Sequence, residues 1–204
     1  MAAIYTIFIS FILVFLSELG DKTQLLVLSF STKIKAVTIL IGVALGSLFS
    51  HGVAILFGSA LGSLGDSFFH ELLEFLTYGT FLLFGIFTFL PKKEKEEIGK
   101  DTKGKLLSRL AHLGLNYIVI IAFSIMIGEI GDKTFLASLG LGIQYPMYKI
   151  NLIIGAVLGM VASDSIAIFL GKFLNTKIPE KWIEKFSGFL FLLFGFCGLF
   201  LHFI

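Results

Sequence analysis

Cysteine is almost absent from this chain: Cys197 is the only one in 204 residues. That excludes an intrachain disulfide, and because Cys197 lies in an apolar run, a buried and inert thiol is expected. Charge is also scarce, at 15% of residues against 56% hydrophobic. The stretch 1–16 is apolar but carries no basic n-region and no small-x-small cleavage site before Ser17, so it is expected to be a retained spanning helix and not a signal peptide. Strict apolar/polar alternation is missing, which excludes strands. No His-Glu-x-x-His arrangement appears, and no cysteine or methionine lies within the charged motifs described below.

What remains is hydrocarbon. With 24 Phe and a mean hydropathy of +0.96, no soluble core could hide the apolar side chains, and the class is an integral all-α membrane protein. Six apolar segments, about 3–30, 36–61, 70–90, 113–141, 149–173 and 183–204, each approach the roughly 20 residues that cross a bilayer as a helix. The formal charge of +2 says less than the placement of the basic residues. Thirteen of them fall between segments 1 and 2, between 3 and 4, and around the 5–6 connection, against Lys149 alone on the other side. The positive-inside rule then predicts both termini outside the cytoplasm. The stretch 91–111 mixes Lys, Glu and Gly without an apolar face and reads as a cytoplasmic linker between a first repeat, 1–90, and a second, 112–204.

The halves repeat. Gly42, Gly46, Ser50, Ala54 and Gly58 match Gly155, Gly159, Ser163, Ala167 and Gly171, all 113 positions on. Leu82-Leu83-Phe84-Gly85 recurs as Leu192-Leu193-Phe194-Gly195. Three spans per repeat force the second half to enter the membrane inverted, the pattern of secondary transporters with a site near the midplane. Glycines four apart read first as close helix packing. Alternating access is expected from one repeat rocking against the other.

One stretch occurs twice inside these runs: Glu18-Leu19-Gly20-Asp21-Lys22-Thr23 and Glu129-Ile130-Gly131-Asp132-Lys133-Thr134. Each ionised group in hydrocarbon costs about 2.5 to 3.5 kcal/mol on insertion scales, so six of them need pairing, water or an ion to offset them. Segments 1 and 4 are longer than a straight span needs and hold glycine and charge near their centres, which fits tilt or a local break there; on a helix, Glu18, Asp21 and Lys22 share one face, as do Glu129, Asp132 and Lys133. Gly20 and Gly131 would let a neighbour approach the backbone, and Thr23 and Thr134 add hydroxyl oxygens. Four carboxylates with two ammoniums leave a formal charge of −2, suited to one divalent cation. Hard oxygen donors favour Ca²⁺, Mg²⁺ or Mn²⁺ over copper or zinc. Crowded carboxylates in low dielectric bind protons once the metal leaves, which is enough for antiport. The plainer alternative is a buried ion triad that fixes helix packing, and for Lys22 and Lys133 orientation of the carboxylates is the expected role. Asp164, flanked by Ser163, and His51, beside Ser50, occupy matched positions and are candidates for a proton relay or for supporting the ligands. Asp66, His70, Glu71, Glu74, Asn116 and Gln144 fall near predicted ends, where a wet loop is expected; His112 and His202 carry no case.

Two copies of Glu-x-Gly-Asp-(Lys/Arg)-(Ser/Thr) in segments 1 and 4 of a six-span, twofold-repeated chain resemble the Golgi, plastid and bacterial manganese and calcium transporters of the cation/proton exchanger type. The resemblance spans essentially the whole chain. It implies a secondary transporter without a resident cofactor that exchanges Mn²⁺ or Ca²⁺ for protons and, in bacterial members, exports manganese across the inner membrane. Glu18, Asp21, Glu129 and Asp132 match the family's acidic positions and Thr23 and Thr134 its hydroxyl positions. Gln24 follows the first motif as is common in the family, whereas Phe135 follows the second. A compact prokaryotic form is expected. The bilayer, a divalent cation and protons are the implied partners, a homo-oligomer is compatible with the pattern, and nucleic acid is not a partner. Competing readings are an intramembrane hydrolase, for which glutamates stand where Gly-x-Gly-Asp would need glycine, an amino-acid exporter of similar six-helix plan, and an assembly factor.

Overall fold

The computed structural model describes residues 2–19, 21, 24, 27, 30, 31, 34–64, 67–89, 116–174 and 180–203. Gly20, Lys22, Thr23, Asp66, His112 and the linker 91–111 lie outside the described residues, as do the side chains of His70, Glu74 and His202. Among the described residues the chain is all-helical. It forms α1 (Ala2–Glu18), α2 (Ala36–Gly62), α3 (Ser67–Phe89), α4 (Tyr117–Glu129), α5 (Lys133–Gln144), a 3₁₀ turn (Pro146–Tyr148), α6 (Lys149–Leu174) and α7 (Glu180–Phe203).

Helices form because apolar backbone removed from water must satisfy its own N–H and C=O groups, and a helix does so within one segment. α2 shows what surrounds them. Its buried face carries Ile39, Val43, Ala54 and Ile55, yet its exposed face carries Ile41, Leu45, Phe49 and Phe57. A helix apolar on all sides is one that lipid, and not water, solvates on its outer face. The same reasoning corrects the expectation for Cys197, which is exposed on α7 beside exposed Phe196 and Phe200. In an apolar solvent an apolar run need not be buried in protein. Two helical stretches, Ala36–Gly62 and Pro146–Phe169, are long and apolar enough to cross a bilayer unaided; Ala2–Glu18 and Tyr117–Glu129 are apolar but shorter. These two are the segments that carry the charged motifs at their C-terminal ends.

The halves do not pack as separate bodies. α1 lies against α6, α2 against α4 and α5, and α3 against α7, with α2 and α6 meeting between the first two groups. Glycine sets these pairings. Gly42 and Gly46 of α2 face the Ile118 and Ala122 carbonyls of α4, while Gly155 and Gly159 of α6 face the Ile7 and Phe11 carbonyls of α1. A Cβ at Gly46 would stand 2.5 Å from the Ala122 oxygen, and one at Gly159 2.6 Å from the Phe11 oxygen. Gly85 meets Leu192 and Gly195 meets Leu82, a contact that maps onto itself when the halves are exchanged. The packing reading of the glycines is therefore the right one for these positions. The core between the helices is built by Leu13, Val14, Val43, Ile121, Ile125 and Met160.

Candidate functional site

The second motif is not a helical turn. α4 stops at Glu129, Ile130 is extended (φ −61°, ψ 119°), Gly131 takes a positive φ of 82°, and Asp132 (φ −81°, ψ 170°) starts α5. Glycine is required there for its conformation, because nothing lies within 4 Å of a Cβ built on Gly131. The Asp132 carboxylate accepts a hydrogen bond from the Lys133 amide at 2.8 Å, a local N-cap that satisfies one orphan donor of α5. Turn bonds match in the two copies: Asp132 N to Glu129 O at 3.0 Å and Asp21 N to Glu18 O at 3.1 Å. α1 likewise ends at Glu18. The expected single helical face is therefore replaced by two breaks, at which carbonyls of one half-helix and amides of the next are left for other partners.

The breaks bring the copies together. Glu18, Glu129 and Thr134 are fully buried. The Thr134 hydroxyl donates to Glu129 Oε2 at 2.9 Å, and Glu18 of the other half lies close enough to interact with both. Asp132 and Asp21, one from each copy, are close enough for their charges to act on each other. Lys133 approaches Asp21 across the halves, Nζ to Oδ1 3.9 Å, with both side chains partly exposed. Its charge also acts on Glu18 and Asp132. The counter-charge described for the second motif thus reaches into the other copy.

Around this centre the matched residues differ. Asp164 on α6 is fully buried, neither of its oxygens has a hydrogen-bond partner among the described residues, and it faces the charges of Glu18 and Asp21. Gln24 donates to the Ser163 hydroxyl at 2.6 Å, tying the residue after the first motif to α6. His51 on α2 is fully buried, with Nδ1 2.9 Å from the Ser138 hydroxyl of α5. Ser50 donates to its own helix, at Ser47 O 3.3 Å, and no described contact brings it to the carboxylates. Ser138 was not singled out by the sequence reading; its signal is its position four residues after Thr134, on the same face of α5. Asn116 caps α4 by accepting from the Ile118 amide at 3.2 Å, and Gln144 donates to the Tyr78 hydroxyl.

Chemically the centre is a set of carboxyl oxygens from two chain halves, the glutamates buried and the aspartates partly exposed. Two buried carboxylates in contact need a proton or a cation between them. Among the described residues no three His, Cys, Asp or Glu side chains enclose a metal-sized position. An acidic, buried centre between broken helices of a membrane protein is the architecture of a secondary transporter. The profile of the divalent cation/proton antiporter family GDT1 matches residues 6–96 and 117–203, and the chain belongs to that family. It is similar to a Vibrio cholerae protein whose name proposes manganese export, 31% identical over 94% of this chain and 89% of that protein. A GDT1-like protein of Synechocystis is 28% identical over 90% of this chain and 91% of its own length. The chloroplastic PAM71 protein of Arabidopsis thaliana is 27% identical over 91% of this chain, which spans 54% of it. No solved structure matches. The family consists of antiporters and not enzymes, and the hydrolase reading falls with it.

Proposed function

We propose that this chain exports Mn²⁺ from the bacterial cytoplasm across the inner membrane in exchange for protons, with Ca²⁺ as a second substrate. The observation that carries the reading is the full burial of Glu18 and Glu129, acids of opposite halves, around the Thr134 hydroxyl that bonds Glu129. In the cation-loaded state Glu18, Asp21, Glu129 and Asp132 supply carboxylate oxygens, and Thr23 and Thr134 supply hydroxyls. In the returning state protons replace the cation. A protonated Glu18 donates to the Thr134 oxygen while the Thr134 hydroxyl donates to Glu129, so one proton satisfies both buried acids. Lys22 and Lys133 orient the aspartates, Gln24 with Ser163 steadies the first break, and Asp164 adds negative field beside Glu18. Six spans in two inverted three-helix repeats, 1–90 and 112–204, joined by the cytoplasmic linker 91–111, place both termini outside and the site near the midplane.

The test is flux in proteoliposomes with an imposed pH gradient. Glu18→Gln and Glu129→Gln each keep the shape and remove the charge that must bind the metal, and each is expected to reduce Mn²⁺ flux at least 100-fold, about 2.7 kcal/mol of lost stabilisation. Normal Mn²⁺ flux in both variants overturns the assignment. Offering Mn²⁺, Ca²⁺ and lysine to the same preparation separates metal exchange from amino-acid export.

A further inference from the structure

The geometry points to His51 Nε2 as a nitrogen ligand of the transported cation, the donor that selects Mn²⁺ over Ca²⁺. The inference rests on the cation-exchange reading and adds a residue and a selectivity to it. His51 is fully buried, and its Nε2 has no hydrogen-bond partner among the described residues. A buried nitrogen left unmet costs about 1–3 kcal/mol, which a bound cation repays. The other ring nitrogen is held: Nδ1 lies 2.9 Å from Ser138 Oγ. With Nδ1–H donating to that oxygen, Nε2 carries the lone pair, the arrangement by which a second hydrogen bond fixes the tautomer and direction of a metal-binding imidazole.

Two observations locate the ring. Ser138 sits four residues after Thr134 on α5, so the two hydroxyls share one face about a turn apart. Thr134 is the hydroxyl bonded to Glu129. The imidazole therefore stands roughly one helical turn from the paired carboxyls. Exchange of the halves gives the same position independently. Residues 51 and 164 are matched by the spacing of 113 that also matches Gly42 with Gly155 and Gly46 with Gly159, pairs whose packing partners correspond in the structure. Asp164 stands in the field of Glu18 and Asp21, and exchange of the halves assigns His51 the corresponding station on the side of Glu129 and Asp132. The chain thus offers a carboxylate at one station and an imidazole at the other.

That difference supplies what the motif lacks. Carboxylate and hydroxyl oxygens accept Ca²⁺ and Mn²⁺ alike, whereas an imidazole nitrogen suits first-row transition ions and is a poor ligand for Ca²⁺. Glu129, Asp132 and Thr134 then bind either ion, and His51 decides between them.

The experiment is pulsed electron paramagnetic resonance of Mn²⁺ bound to the purified protein in nanodiscs, with flux measured in parallel. The unsubstituted protein is expected to show ¹⁴N echo modulation from one imidazole. His51→Asn, which keeps a hydrogen-bonding side chain opposite Ser138, is expected to lose that modulation and to lower the Mn²⁺/Ca²⁺ rate ratio about tenfold while Ca²⁺ transport persists. Ser138→Ala, which frees the ring without removing it, is expected to weaken the modulation and shift the ratio part of the way. An oxygen-only Mn²⁺ signal in the unsubstituted protein overturns the proposal, and so does nitrogen modulation that survives in His51→Asn, since His70, His112 and His202 remain there. Equal loss of Mn²⁺ and Ca²⁺ transport with unchanged nitrogen-free spectra assigns His51 to packing and overturns it too. Absence of any bound Mn²⁺ defeats the underlying exchange reading as well, so the two failures are told apart.

Discussion

At the scale of single residues, Thr134 connects the halves, and its hydroxyl separates two roles that the carboxylates share. Thr134→Val keeps the shape and removes the hydroxyl that bonds Glu129 beside Glu18, leaving a buried carboxyl without that donor, a loss of about 1–3 kcal/mol. Mn²⁺ flux is expected to fall about tenfold or more in this variant and to be largely retained in Thr134→Ser. Equal flux in all three proteins contradicts the bridging role. The acids themselves were legible in the sequence because charge inside hydrocarbon is expensive enough to need a reason. Asp164 was legible on the same ground. Ser138 was not, because a serine in a membrane helix is inexpensive when it bonds its own backbone, and only the approach of His51 from α2 distinguishes it. The reach of Lys133 to Asp21 was equally hidden, since spacing within a motif says nothing of the other copy.

At the scale of elements, the two helix breaks convert a motif into a site. Apolar segments 1 and 4 were read as long spans in which a local break was plausible, but the grouping of side chains assumed an unbroken turn. The physical reason for the difference is local. Gly131 adopts φ +82° and Asp132 caps the next half-helix through its carboxylate, an arrangement that competes well with helix where a short acid follows a glycine. The hydrophobic pattern continues across this break and therefore hides it. Gly131→Ala forces a side chain into the left-handed region at about 1–2 kcal/mol with no clash to relieve. Its thermal midpoint, followed through the single Trp182, is expected to fall by several degrees while Mn²⁺ transport drops further than stability explains. An unchanged midpoint would show that the break needs no glycine.

At the scale of the whole molecule, the repeat was legible but the packing between its halves was not. Matching glycines were visible at a spacing of 113, yet nothing in their order told which helix each would seat against. The structure pairs α1 with α6 and α2 with α4 and α5, backbone against backbone through glycines from opposite halves. Close-packed interfaces of this kind move as units, because a glycine seated under a carbonyl leaves no room for sliding. These pairs, each built from both halves, are therefore expected to move as bodies in alternating access, in place of the repeats. Two cross-links discriminate. The Asn151 side chain reaches the Ala3 carbonyl at 3.4 Å, within the α1–α6 pair. The Tyr5 and Tyr145 rings lie with centroids 6.2 Å apart, joining α1 to the residue that caps α5. Both links tie the first half to the second, so rocking repeats would be arrested by either. Moving pairs predict another outcome. In a Cys197→Ser background, a short thiol cross-linker between Ala3→Cys and Asn151→Cys is expected to leave Mn²⁺ flux within about twofold of the unlinked protein. The same reagent between Tyr5→Cys and Tyr145→Cys is expected to abolish flux until the link is cleaved. Arrest by the first link returns the motion to the repeats, and free transport with the second removes the α1–α5 gap as the place where the site opens.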